Sequence, residues 1–204
     1  MKKTLFPLAA ALFALATSVA AQTDTQSGEA APAGQEKTAD QLLDLGQPAD
    51  SGPQLGQRYS KEKTGDWDLA CIKTEAETDP CSLLQILTDD KGNPMAEFSM
   101  FRLEEGGVAV AGATVIVPLE TLLPAQLTLQ IDGAPGKRYN YSFCNPIGCV
   151  AQIGLTQGDI DAMQKGAEAT ISLVPAPAPD QVVRLKMSLK GFTAGYDKVD
   201  IVSE

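Results

Sequence analysis

Apolar and polar side chains alternate with a period of two in three clear runs. Leu127, Leu129 and Ile131 alternate with Thr128 and Gln130. Tyr139, Tyr141 and Phe143 alternate with Asn140 and Ser142, and Val183, Leu185, Met187 and Leu189 with Arg184, Lys186 and Ser188. Successive side chains of a strand point to opposite faces, so each run buries one face and wets the other. Antiparallel sheets with one solvated face read this way. Further strands are expected over 66–72, 82–87, 95–103, 108–117, 150–155 and 169–174, making nine in all.

The punctuation between these runs agrees. Asp90-Lys91-Gly92-Asn93-Pro94 and Glu104-Glu105-Gly106-Gly107 read as hairpin loops in which glycine supplies positive φ. Asp132-Gly133-Ala134-Pro135-Gly136 separates two more strands, and Pro175-Ala176-Pro177-Ala178-Pro179 predicts an extended connector. Thr156 is placed to cap a helix whose third position, Asp159, returns the bond. Leu155 and Ile160 are spaced as a hydrophobic staple, Met163 continues the apolar face, and Gly166 closes the end. A second short helix is expected over 193–199, where Phe192 and Tyr196 stand four apart. The pattern predicts an all-β fold: an antiparallel β-sandwich or flattened barrel with one or two short helices.

The first 57 residues follow another logic. Lys2 and Lys3 precede an uncharged stretch over 5–16, and Val19-Ala20-Ala21 puts small side chains where a signal peptidase reads them. This is the anatomy of a secretory signal over 1–21, with a retained anchor as the alternative. The apolar stretch is shorter than the roughly 20 residues that span a bilayer. No cysteine stands directly after it, which excludes lipoprotein processing. Residues 22–57 contain no aromatic side chain and carry six acids against Lys37. Such a segment cannot bury enough apolar area to offset about 1–2 kcal/mol of backbone entropy per residue, so a disordered acidic linker is expected. Leu42, Leu43 and Leu45 suit one transient helical turn or a contact with a partner. The folded domain is expected over 58–204, its structure starting near Tyr59.

Charge and composition narrow the function. The 204 residues contain no histidine and carry a formal charge of −10. The first excludes Ser-His-Asp and Cys-His catalysis and imidazole ligation of metals. The second argues against nucleic acid, which needs a basic face. Loss of Lys2 and Lys3 with the signal would take −10 to −12, and from Arg58 onward 13 basic against 20 acidic residues leave −7.

Four cysteines in an exported chain read most simply as two disulfides, with three connectivities open. Cys71 and Cys81 flank a polar stretch, and Cys144-Asn145-Pro146-Ile147-Gly148-Cys149 contains the residues of a tight reversal. The pairing Cys71–Cys81 with Cys144–Cys149 is therefore favoured. A redox role for Cys144 and Cys149 would need two intervening residues and a βαβ setting, and here there are four in a hairpin. The Cys71 to Cys81 spacing is loose for a zinc knuckle.

Other constellations favour structural roles. Asp89-Asp90-Lys91-Gly92-Asn93 lacks the alternating ligands and terminal Glu of a calcium loop and reads as a hairpin. Asp159 and Asp161 face different ways on a helix. Lys186 and Ser188 lie on the wet face of a strand, which disfavours a dyad of Ser188 with Lys186 or Lys190. Trp67, the only tryptophan, is expected to pack over a disulfide, with surface presentation as the alternative.

The motifs in order are Trp67-Asp68-Leu69-Ala70-Cys71, Cys81, Pro118-Leu119 and 127–133, then Tyr141-Ser142-Phe143-Cys144, Gly148-Cys149-Val150-Ala151 and Ser188-Leu189-Lys190-Gly191-Phe192-Thr193-Ala194. In that order and spacing the chain resembles the invasion-associated locus B family of exported alphaproteobacterial proteins, over about 65–199. It departs from the family after Pro118-Leu119, where Glu120-Thr121 stands in place of a glycine. The resemblance implies a small β-rich periplasmic or surface-associated protein with no established catalytic residues. Pathogenic members are associated with entry into host cells, while many members belong to free-living bacteria.

The expectation is thus a non-enzymatic exported protein without cofactor or metal. It would act through protein–protein contacts in the periplasm or at the cell surface, on a basic, envelope or host partner. The alternatives are a ligand- or peptide-binding, chaperone-like module using a strand edge or a cleft between sheets, and a hydrolase or redox enzyme built near Cys144–Cys149 or Ser188.

Overall fold

The computed structural model describes residues 52–104 and 107–202, with Leu43, Gly46 and Pro48. The expected signal over 1–21 lies outside the described residues, as does most of the expected linker. The chain divides after Gly46, and every element named below belongs to Gln47–Glu204.

Among the described residues, twelve strands and two α-helices follow in order. The strands are β1 Arg58–Thr64, β2 Trp67–Ile72, β3 Cys81–Thr88, β4 Pro94–Leu103, β5 Ala109–Val117, β6 Leu127–Ile131, β7 Lys137–Tyr139 and β8 Phe143–Asn145. After them come β9 Gly148–Thr156, helix α1 Gln157–Lys165, β10 Glu168–Leu173, β11 Val183–Ser188, helix α2 Phe192–Tyr196 and β12 Ile201–Val202. One sheet runs β1-β2-β3-β4-β5-β9-β8, with β12 pairing β4 in parallel; the other runs β11-β10-β6-β7. All other pairings are antiparallel. Among the described residues neither sheet closes on itself, so the sandwich form of the expectation holds and the barrel form does not.

The alternation does the work the pattern predicts. In β11, Leu185 and Met187 are fully buried and Arg184 and Lys186 exposed. They meet Leu83, Phe98, Met100 and Val115 of the larger sheet in one core, together with Ile160 and Met163 of α1. Burying each such side chain contributes about 1.5–3 kcal/mol. The sheets are also sewn together by one buried amide. Gln85 on β3 donates to the Ser188 carbonyl at 3.0 Å and accepts from the Ser188 N–H at 2.9 Å, occupying the last residue of β11.

Four local expectations change. The run 139–143 is two strands, because the chain crosses between sheets there: Tyr139 pairs Leu127, while Phe143 pairs Val150. β1 is an additional strand, beginning at Arg58. Residues 175–180 are not simply extended: Ala176 donates to Glu120, and Ala178 turns back onto Pro175. The second helix is 192–196, one residue earlier at its start and shorter than expected. The capping box of α1 is present as expected, Thr156 and Asp159 each binding the other's backbone. Gly166 ends that helix in an extended conformation, at φ −79°.

Candidate functional site

Both disulfides join directly facing residues of neighbouring antiparallel strands. Cys71 stands opposite Cys81 across β2 and β3, and Cys144 opposite Cys149 across β8 and β9, each with 4.0 Å between Cα atoms. The connectivity is the favoured one. The two bridges differ in setting: Cys71 and Cys81 lie in the core, whereas Cys144 is exposed above a buried Cys149. Gly148 allows the tight reversal between the second pair. A Cβ there would lie 2.4 Å from the Val117 carbonyl oxygen.

The loop closed by the first bridge is held by one carboxylate. Asp79 accepts from the Thr74 N–H and the Tyr59 hydroxyl, both at 2.8 Å, and from the Lys73 ammonium at 3.2 Å. Those bonds, led by the Thr74 amide, hold its pKa down at about 2. Asp89 plays the same part in the β3–β4 hairpin, accepting from the N–H groups of Lys91 and Asn93 and from the Asn93 side chain, with Gly92 at φ 83°.

The remaining candidate groups are engaged singly. Ser188 donates its hydroxyl proton to Asp66 at 2.6 Å, while Lys186 pairs with Glu168, so no Ser-Lys dyad forms. Asp159 is held by Lys137 at 2.7 Å and by Thr156. Burial pushes its carboxyl up, but those bonds outweigh burial and hold it below the usual range. Asp161 accepts from Gln157 instead, consistent with the two aspartates facing different ways. Trp67 is buried, with its ring edge-on to Phe98 and Phe192 at 5.9 and 5.4 Å. The surface reading of this residue fails, and its ring neighbours are aromatic, since Cys71 lies about 13 Å further along the strand.

The feature the period-two reading missed is the outer face of the larger sheet. The register places Ile86, Glu97, Ile116, Val150 and Phe143 in one row across five strands. Ile86 is 45% exposed, Phe143 49%, and Ile147 beside them 72%. Ile86, Met95, Ile116, Pro118 and Ile147 line a shallow groove of about 420 Å³. The signal was available: β5 reads Ala-Val-Ala-Gly-Ala-Thr-Val-Ile-Val, a nearly unbroken apolar run, as expected of a strand covered on both faces.

Comparison with known proteins decides the family. The family model described as "Invasion associated locus B (IalB) protein" matches residues 67–200. The chain belongs to the invasion associated locus B family. It is 25% identical over 149 residues to an invasion protein B homolog of Brucella abortus (strain 2308), covering 73% of this chain and 84% of that protein. The homolog of B. abortus biovar 1 (strain 9-941) matches to the same extent. The crystal structure of invasion associated protein B from Bartonella henselae superposes with a TM-score of 0.57 at 22% identity, over 67% of this chain and 92% of that one, and shares the fold.

The family motifs now have physical reasons. Gly191 and Gly65 let two backbones touch: a Cβ on Gly191 would lie 2.0 Å from the Thr64 carbonyl oxygen, and one on Gly65 2.4 Å from that of Lys190. Glu120, which follows Pro118-Leu119, holds φ 66°.

Proposed function

We propose that this member of the family is an exported, non-enzymatic binding protein, with a signal over 1–21, an acidic linker over 22–57 and a binding domain over 58–204. It works through its surface, on a basic polypeptide or a cationic surface of the cell envelope or host. The observation that carries this reading is a filled, twice-bridged sandwich whose acidic surplus sits on exposed loops. Glu75, Glu77, Asp90, Glu120 and Asp180 are all exposed turn or loop residues. Complementary charge speeds encounter with such a partner.

Two further observations support surface contact over peptide capture at a strand edge. β1 carries a bulge between Ser60 and Glu62 and the charges Lys61 and Lys63, devices that blunt an edge. The end of β11 is occupied by Gln85.

Capture of partners from an envelope fraction, using forms with and without 22–57, tests the reading. Yield should fall several-fold between about 50 and 500 mM salt as screening shortens to a few ångströms. Salt-insensitive capture would refute it.

A further inference from the structure

We infer that the outer face of the smaller sheet is a docking surface for an acidic polysaccharide, a chain of uronate-bearing sugars laid across its strands. This goes beyond the proposed function, which uses the acidic loops, and does not depend on it.

The first ground is what the register assembles. Arg184, Ser172, Thr128 and Arg138 stand opposite one another in a single row across β11, β10, β6 and β7, and Lys186, Thr170 and Gln130 form the row beside it. On β6, β10 and β11 these positions alternate with buried Leu127, Leu129, Ile171 and Leu185, so they face away from the core. Three strand spacings put the Cα atoms of Arg184 and Arg138 about 14 Å apart. Arg138, Arg184 and Lys186 are exposed, and the shorter side chains between them form a half-buried floor.

The second ground is charge, and it calls for an anion. The folded part carries −7, and Arg58, Lys73, Lys137 and Lys198 are each paired with a carboxylate of the chain. Arg138 and Arg184 have no acid partner among the described residues. Lys186 lies 3.6 Å from Glu168, with both ends exposed. Three cations against Glu168 leave this face at +2 on an acidic body. Screening over roughly 8 Å at 0.15 M salt lets an anion seated here sense these groups more than the distant surplus. Each guanidinium can donate two parallel bonds to a carboxylate.

The third ground is the chemistry between the charges, which decides the kind of anion. The hydroxyls of Ser172, Thr128 and Thr170 make no hydrogen bond among the described residues, and no aromatic or aliphatic side chain stands in either row. Protein partners draw most of their affinity from buried anchors such as tryptophan and tyrosine, and this face has nothing to receive them. A sugar acid brings hydroxyls to exchange bonds with Ser172, Thr128 and Thr170, beside carboxylates that reach the arginines. The acids lie at the margins: Glu168 facing Ser188 in the next row, and Asp180 in the connector before β11. A single chain along the row avoids them, whereas a planar anionic membrane does not. Exposed ion pairs are weak singly, so affinity comes from repeated units engaging both arginines at once.

The test is calorimetric titration of the exported, oxidised protein in 150 mM NaCl with an oligogalacturonate long enough to span both arginines. The expected result is saturable binding that the double variant Arg138→Ala/Arg184→Ala weakens at least tenfold. Its melting temperature should not change, because both side chains are exposed. Lys61→Ala, which removes a cation from β1 of the other sheet, should alter binding less than twofold. Capture of a basic partner by the acidic loops should be the same in the double variant, so the two readings fail separately. Absence of binding overturns the inference, as does binding that the double variant keeps or that Lys61→Ala weakens as much. Equally tight binding of polyglutamate or of phosphatidylglycerol vesicles overturns it too, in favour of an acidic polypeptide or a membrane.

Discussion

Gly191 holds φ 86° at the mouth of α2, and its Cα hydrogens are all that separates the chain from the Thr64 carbonyl. Gly191→Ala therefore meets both left-handed strain and a backbone contact that cannot give way, and should cost about 2–4 kcal/mol. Gly133→Ala is the control: φ is 73° but nothing lies within 4 Å, so only strain of about 1 kcal/mol applies. Equal losses in urea titrations of the two variants would mean the Thr64 contact is unimportant. Glu120 makes the converse case. It is exposed, at φ 66°, in a place where a side chain brings strain without burial. Glu120→Gly should stabilise by about 0.5–1 kcal/mol, the relief exceeding the added unfolded-chain entropy. A lowered urea midpoint would show that the Glu120 side chain contributes something the geometry does not reveal.

At the scale of elements, the legible parts are those whose cause is local. Thr156 and Asp159 are three residues apart and make a capping box wherever a helix starts there, so α1 could be read directly. β11 was legible because Leu185 and Met187 face one core. What escaped were elements whose cause is tertiary. β1, Arg-Tyr-Ser-Lys-Glu-Lys-Thr, is an edge strand exposed at most positions, so it has no apolar alternation to find. The Tyr139–Phe143 run alternates without interruption, and only the pairing partners reveal that it changes sheets. The outer face escaped for a related reason: alternation assigns polar residues to the wet side, and β5 has too few to assign. The two bridges, predicted alike from spacing, separate by setting. On the chain-entropy model, loops of 10 and 5 residues give about 2.7 and 2 kcal/mol. Replacing Cys71 and Cys81 by serine also buries two hydroxyls in the core, adding about 1–3 kcal/mol each if unpaired. Cys149 is buried too, so the Cys144/Cys149 double variant buries one hydroxyl, and the Cys71/Cys81 variant should lose about 2–4 kcal/mol more stability than it does. Equal losses by calorimetry would place the weight on loop closure alone.

For the whole molecule, the acid surplus and the loop carboxylates set a common pH window. Asp79, at about 2, lies below its ordinary 3.8 because Thr74, Tyr59 and Lys73 favour the ionised form. Asp89 is lowered by Asn93 and Lys91, and Asp159 by Lys137 and Thr156 against the opposing effect of burial. A group whose pKa is depressed by folding contributes stability above its unfolded pKa and loses it as pH falls through the folded one. All three act in the same direction, so the native state should hold to about pH 4 and weaken progressively toward pH 2. Net charge acts in the opposite direction in the upper part of this range. Acidification toward the pI of about 4.5 removes self-repulsion before it breaks any of these bonds. The melting temperature should therefore be flat or rise slightly from pH 7 to 4.5 and fall below 4. Asp79→Asn cannot titrate, so its melting temperature should be lower at pH 7 and converge on that of the parent chain near pH 2. If the two curves stay parallel across that interval, the Thr74–Asp79–Tyr59 bonds are not what anchors the first bridged loop to β1.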